Sequence, residues 1–179
     1  ALGHIEAGLR SFDRDMPEEI NRILTDHASD HLFAPTEESA DLLRDEGIDE
    51  SRIHMTGNTI VDAVEANRSI AADRSIVLDE YDLTSGDFIL MPANRDENVD
   101  NRDRLVNILT GTDHIASELE QPVVYPIHPR TRTRLAEFDV TVPDTIRLIE
   151  PLDFLDFLRL EDTASLVITD SGGVQEETC

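Results

Sequence analysis

Residues 165–177 read Ser165-Leu166-Val167-Ile168-Thr169-Asp170-Ser171-Gly172-Gly173-Val174-Gln175-Glu176-Glu177. A short apolar run passes into a polar turn with two adjacent glycines, then into the start of a helix. The run from Ser165 to Thr169 predicts a buried strand. Gly172 and Gly173 let a backbone approach a ligand closely. Free N–H groups at a helix start favour an anion, and the Ser171 hydroxyl adds a donor. Glu176 or Glu177 could accept from ribose hydroxyls. An ordinary strand-to-helix turn with a glycine cap accounts for the same residues, and the stretch is neither a Walker A loop nor a G-x-G-x-x-G fingerprint.

The same rhythm extends back along the chain. Strands are predicted at His31–Pro35, Arg52–Met55, Phe88–Met91, Pro122–Ile127 and Ile146–Ile149. Between them run helices: one opening at Asp15-Met16-Pro17-Glu18, with Asp15 as N-cap; one from Thr36, stopped by Gly47; one carrying Ile60, Val64 and Ala71. Further on, Leu105, Ile108, Leu109, Ala116 and Leu119 mark a long helix, Pro129 opens another to about Phe138, and Leu152–Leu160 forms the next. Strand–helix alternation with short apolar strands implies parallel sheets covered by helices, an α/β fold. Residues 73–86 have weak periodicity and read as a boundary. In such sheets ligands bind beyond the carboxyl ends of the strands. Those ends carry Asn94-Arg95, His128-Pro129-Arg130 and Asp170-Ser171-Gly172-Gly173.

Composition narrows the partners. The 179 residues hold 39 Asp and Glu against 15 basic side chains, a formal charge of −24. Every basic residue is Arg; there is no Lys. Such a field repels nucleic acid and anionic membranes. Acid excess without Lys fits a surface adapted to high salt, where screening removes most of the self-repulsion. The single cysteine, Cys179, excludes an internal disulfide and fits a reducing cytoplasm. Neither a signal peptide nor an apolar run long enough to span a bilayer is visible.

Three constellations could carry chemistry. The turn at 170–177 is the first. The second is Gly3-His4-Ile5-Glu6-Ala7-Gly8-Leu9-Arg10 with Pro17-Glu18-Glu19-Ile20-Asn21-Arg22. It offers two carboxylates, Glu6 and Glu18, able to move protons if burial separates their affinities. Spacing alone favours Glu18 as the capping-box residue of its helix, and Arg10 and Arg22 could simply neutralise the acids. The third is Arg130, Arg132 and Arg134, a positive island in an acidic chain. Arg130 near a helix start could hold a diphosphate, whereas Arg132 and Arg134 equally suit salt bridges to Glu137 and Asp139. No His, Asp and Glu set has metal-ligand spacing.

Together these segments resemble the non-hydrolysing UDP-N-acetylglucosamine 2-epimerase family. The matching stretches are GHIEAGLRS at 3–11, MPEEINR at 16–22, APTEES at 34–39, TGNTIVDAV at 56–64, RDENVDNRDRL at 95–105, YPIHPRTR at 125–132 and ITDSGGVQEE at 168–177. The resemblance implies a glycosyltransferase-B-like fold of two Rossmann-like domains with the active site between them. It places the second half of the N-terminal domain at 1–75, a linker at 76–86 and the first part of the C-terminal UDP-binding domain at 87–179, both incomplete. It implies interconversion of UDP-GlcNAc and UDP-ManNAc by anti elimination of UDP and re-addition through a glycal, with no metal, nicotinamide or other cofactor. A related UDP-2-acetamido sugar, a hydrolysing relative or an impaired UDP-sugar-binding remnant are the alternatives.

Carried over by position, Glu6 and Glu18 match the catalytic glutamates. Ser171, Gly172 and Gly173 match the diphosphate turn, Glu177 the ribose acid and Phe157 a residue near the uracil. Asn94, Arg95, His128 and Arg130 are binding residues beside the site. Arg10, Arg95 and Arg130 are the cations set against the acidic coat. The resemblance also implies a cytoplasmic homodimer with a UDP-sugar substrate, feeding surface polysaccharide or glycoprotein synthesis. Three departures stand out. Asn94 occupies the place of a family His that assists UDP departure, and Asn can hydrogen-bond but cannot transfer a proton. A catalytic Asp of the family falls upstream of this chain, and a family Arg falls beyond Cys179. The chain therefore reads as a fragment.

Overall fold

Strands Gly3–Ile5 (β1), His31–Ala34 (β2) and Ile53–Met55 (β3) pair in parallel in the order β1-β2-β3. Helices Pro17–Ala28 (α1) and Glu37–Asp45 (α2) link them. This computed structural model describes residues 1–178; Cys179, with its expected lack of a disulfide, lies outside the described residues. The core of this unit is Leu32, Ala34, Ala40, Leu43 and Ile48 with Ala7. Alternating burial along β2, with Leu32 and Ala34 inside, fixes which face of the sheet meets the helices.

Two compact units divide at residues 63 and 64. The division falls within Thr59–Arg74 (α3). The second unit holds Ile89–Leu90 (β4), Val123–Pro126 (β5), Ile146–Ile149 (β6) and Leu166–Val167 (β7), all parallel, in the order β6-β5-β4-β7. Its helices are Val77–Glu80 (α4), Asp96–Val99 (α5), Arg102–Leu119 (α6), Pro129–Glu137 (α7), Phe154–Thr163 (α8) and Gly172–Glu177 (α9). One apolar layer gathers Ile89, Met91, Leu105, Leu109, Val123, Tyr125 and Ile127. The other gathers Val77, Phe88, Leu90, Val124, Ile149 and Leu160. Adjacent strand residues thus point into opposite layers, as a sheet covered on both faces requires. The parallel α/β class follows.

Some expectations differ locally. The N-cap of α1 is Met16, not Asp15, and Met16 offers no side-chain cap. Pro17 in the first turn, with no N–H to leave unsatisfied, sets the start instead. The run Ser165–Thr169 pairs only at Leu166–Val167, with β4 on one side, and Leu166 is exposed. On α6 the buried positions are Leu105, Leu109, Thr112 and Ala116, while Leu119 is exposed. Residues 76–86 carry α4, whose Val77 belongs to the second unit's core.

Candidate functional site

In the first unit, β1 delivers the chain into a loop whose backbone is unusually constrained. Glu6 has φ 64 and Gly8 φ 81, both in the left-handed region. Glycine is required at 8, since a Cβ there would lie 2.2 Å from the Ser39 carbonyl oxygen of α2. Glu6 carries the same backbone hand with a side chain, a conformation that persists only where its surroundings enforce it.

Three acids hold the loop on either side of it. Asp26 of α1, fully buried, accepts from the Gly8 N–H at 3.2 Å and from His4 Nδ1 at 2.5 Å, and pairs with Arg10 at 2.7 Å. Glu19, also buried, accepts from the Ser11 N–H at 2.9 Å, the Ser11 hydroxyl at 3.0 Å and the Phe12 N–H at 3.1 Å. Glu46, at the end of α2, takes a bidentate pair from Arg10 at 2.8 and 2.7 Å. Burial alone would raise the Glu19 carboxyl, but the Ser11 and Phe12 N–H groups, the Ser11 hydroxyl and the charge of Arg10 together offset it and hold it below the usual carboxylate range. The hydrogen bond from Arg10 holds Glu46 low, and the Glu46 bond outweighs burial to push Arg10 up. Arg10 is thus sealed, its side chain 1% exposed, and cannot serve as a cation presented to a substrate. Arg22 faces Glu19 rather than Glu18.

Glu18 itself is exposed on the first turn of α1. The helix begins one residue later than Asp15 would have placed it, so Glu18 is not the capping-box position. Among the described residues neither the Glu6 nor the Glu18 carboxylate has a hydrogen-bond or ion-pair partner, in contrast to the neighbouring Glu19. The loop clamp thus uses other acids and leaves these two carboxylates available.

In the second unit a cavity of about 440 Å³ opens at the carboxyl ends of the strands. The chain runs from β4 to β5 and β6 on one side, then returns to place β7 on the other side of β4. The gap between the ends of β4 and β7 is therefore a topological switch point, where open parallel sheets bind ligands. Of the residues expected at the site, Asn94, Arg95, His128, Phe157, Ser171 and Gly172 line this cavity. Gly173, Glu177 and Arg130 are not on its lining.

Asn94 Oδ1 accepts from the Thr131 hydroxyl at 3.1 Å and the His128 N–H at 3.3 Å. His128 caps α7: its Nδ1 accepts from the Arg130 N–H at 3.2 Å, so the proton of the neutral ring sits on Nε2. Ser171 caps α9 by accepting from the Val174 N–H at 3.4 Å. A Cβ on Gly172 would meet nothing within 4 Å, and neither Gly172 nor Gly173 has a positive φ. Neither fold nor backbone therefore demands these two glycines, and the space they leave opens toward solvent. Arg130 pairs with Asp96 and Asp100, Arg134 with Asp100 and Glu137, and Arg132 with Glu150. Arg95 is exposed, and its guanidinium stands 3.5 Å from the Glu97 carboxylate.

Sequence reasoning passed over several contributors. Asp170 lines the cavity and accepts from the Asn94 and Arg95 N–H groups and from Asn98. It sits inside the glycine turn quoted first but read there only as a turn residue. Glu19 and Asp26 are two helical turns apart, and that spacing on one face of α1 was the available signal. Near α9, burial pushes the Glu161 carboxyl up to about 8, with the negative charge of Glu177 adding to it. No group of three or more His, Cys, Asp and Glu that could hold a metal ion occurs among the described residues.

Parallel sheets with a glycine-edged cavity of ligand size at a topological switch point define an α/β protein with a small-molecule pocket at its strand ends. The chain belongs to the UDP-N-acetylglucosamine 2-epimerase family, whose sequence profile matches residues 1–179. It is 48% identical to the UDP-N-acetylglucosamine 2-epimerase of Methanocaldococcus jannaschii, over 99% of this chain and 50% of that protein. A Methanococcus maripaludis protein of the same name is 47% identical over 99% of this chain and 50% of its own length. The crystal structure of the M. jannaschii enzyme in complex with UDP-GlcNAc and UDP superposes with a TM-score of 0.87 at 49% identity, covering 98% of this chain and 49% of that one. The chain spans about half the length of these relatives.

Proposed function

We propose that the whole protein is a UDP-N-acetylglucosamine 2-epimerase that interconverts UDP-GlcNAc and UDP-ManNAc. The observation that carries this is the cavity at the switch point, where six of the residues expected at a UDP-sugar site converge. The second support is the likeness to an enzyme whose structure holds UDP-GlcNAc and UDP. Ser171, Gly172 and Gly173 form the diphosphate turn, Phe157 meets the uracil, and Glu177 accepts from the ribose. Arg95 and His128 Nε2 face the phosphates. Arg130 belongs to the same motif and supports it through Asp96 and Asp100.

In the reaction a carboxylate removes the proton at C2 as the C1–O bond breaks and UDP leaves with the bonding electrons. The sugar is left as a C1=C2 glycal. A carboxylic acid then returns a proton to the other face of C2 while a UDP oxygen re-forms the bond to C1. Glu6 and Glu18 are the proton carriers in this proposal, Glu6 on a loop held rigid by buried acids. Asn94 steadies the diphosphate loop as a neutral hydrogen-bonding group. Use of no metal or cofactor, a homodimeric state, a high-salt cytoplasm and a product destined for surface polysaccharide belong to the same proposal.

The test is incubation of the whole protein with UDP-GlcNAc in deuterium oxide. Formation of UDP-ManNAc with deuterium at C2 is expected. Glu6→Gln and Glu18→Gln are expected to abolish turnover while UDP still binds. Stoichiometric release of free UDP would replace epimerisation by hydrolysis. UDP binding with no deuterium at C2 would leave a binding protein. Wild-type turnover in Glu18→Gln would return Glu18 to a surface role.

A further inference from the structure

Two N–H groups at the mouth of the cavity, those of Asn94 and Arg95, point the wrong way for an anion site. Both donate to Asp170, at 3.0 Å to Oδ1 and 3.0 Å to Oδ2. Asn98 Nδ2 donates to Oδ2 at 2.9 Å. Asp170 follows β7, and the residues it grips follow β4, so one carboxylate bridges the switch point. Asn94 passes the link onward through its Oδ1 to the His128 N–H, just beyond β5, and to the Thr131 hydroxyl of α7. The ends of β7, β4 and β5 are thereby joined by a chain of hydrogen bonds through two side chains.

Electrostatics makes this placement informative. Asp170 is itself on the cavity wall. A carboxylate there repels a diphosphate, so as a contact residue it is unfavourable. Its three accepted bonds are charge-assisted and directional, however, and fix the backbone that carries Arg95 and Asn94.

We infer that Asp170 is a positioning residue: it sets the β4 loop so that Arg95 and the Asn94–His128 link face a nucleoside diphosphate, and its contribution through geometry exceeds its repulsion. The inference rests on the nucleoside-diphosphate reading of the cavity. The two effects have opposite signs, which makes them separable. If charge dominated, removing it would tighten UDP binding. If positioning dominates, removing it loosens UDP binding.

The experiment measures UDP affinity by calorimetry in wild-type protein, Asp170→Asn and Asn98→Ala. Amide exchange of residues 93–98 is measured in the same proteins without ligand. Asp170→Asn keeps the shape but presents an amide to two N–H donors, so affinity is expected to fall by about tenfold or more. The 94 and 95 amides are expected to lose protection by a similar factor. Asn98→Ala removes one bond without touching the cavity wall, and a fall of about threefold at unchanged melting temperature is expected. It keeps the inference testable if Asp170→Asn fails to fold. Equal or tighter UDP binding in either variant overturns the inference, as does exchange at 94 and 95 that is already unprotected in wild type. Protected amides in a wild-type protein that does not bind UDP would uphold the clamp and overturn the nucleotide reading instead.

Discussion

Replacing Gly8 by alanine should be among the more damaging single-methyl changes available to this chain. Two costs add. Alanine at φ 81 pays the left-handed penalty of about 1–2 kcal/mol. The new Cβ would also stand 2.2 Å from the Ser39 carbonyl oxygen, 2.8 Å from its carbon and 3.0 Å from Leu43 Cγ. The first two are backbone atoms of α2, which cannot rotate aside, so loop and helix must part at about 1–3 kcal/mol. The sum, about 2–5 kcal/mol, is a large fraction of the ~5–15 kcal/mol that holds a domain folded. Gly47→Ala is the internal control. Gly47 has φ 85 but a Cβ there meets nothing within 4 Å, so it isolates the first cost. Urea unfolding followed by circular dichroism gives both values. The reasoning fails if Gly8→Ala loses no more stability than Gly47→Ala.

Further outcomes follow from the acids. Glu19→Gln retains one acceptor oxygen of two and turns an amide toward the Ser11 or Phe12 N–H, so a loss of about 2–3 kcal/mol is expected in urea unfolding at pH 7. Because the Glu19 carboxyl lies low in the folded protein, its contribution is present above the ordinary carboxylate range and should vanish as pH falls through the folded value; wild type and Glu19→Gln should converge in acid. Glu161 has the opposite sign. Its folded value is raised to about 8 from 4.5, so the folded state binds the extra proton between those values and stability should decline with rising pH across that window. Glu161→Gln should remove that decline, measured as melting temperature against pH. With a charge of −24, the protein should also melt higher as KCl rises, since the screening length shrinks from about 10 Å at 0.1 M to about 3 Å at 1 M. A melting temperature indifferent to molar salt would count against the high-salt reading of the acid coat.

The parallel α/β architecture was legible because most strands are compact apolar runs followed by a polar turn. The strand β1, Gly3-His4-Ile5, was missed because it has no apolar run to mark it. The stretch from Ser165 to Thr169 looks uniformly buried in sequence, yet Leu166 is exposed, because an apolar run does not encode which of its faces the helices cover. The cavity was legible in its chemistry-bearing positions, since Asn94, His128 and Ser171 lie in the turns two to four residues beyond strand ends. What stayed hidden were side chains whose partners are distant in sequence. Arg10 looked available for a phosphate because its carboxylates lie 16 and 36 residues away, at Asp26 and Glu46. Arg130 likewise looked free while Asp96 and Asp100 sat 34 and 30 residues upstream. In a chain this acidic, a lone arginine is a poor signal of ligand binding, since a fold can always bring it a carboxylate.

The sealing of Arg10 also bears on how fast the loop after β1 can act. A segment that must order itself around each arriving ligand gives up conformational entropy at every encounter and slows association. Here the N–H groups of Gly8, Ser11 and Phe12 are already engaged by helix-borne carboxylates. Little torsional freedom remains in the segment that carries Glu6. Association at this loop should therefore show a small entropic penalty and little dependence on solvent viscosity beyond diffusion. Any slow step would then arise elsewhere in the protein.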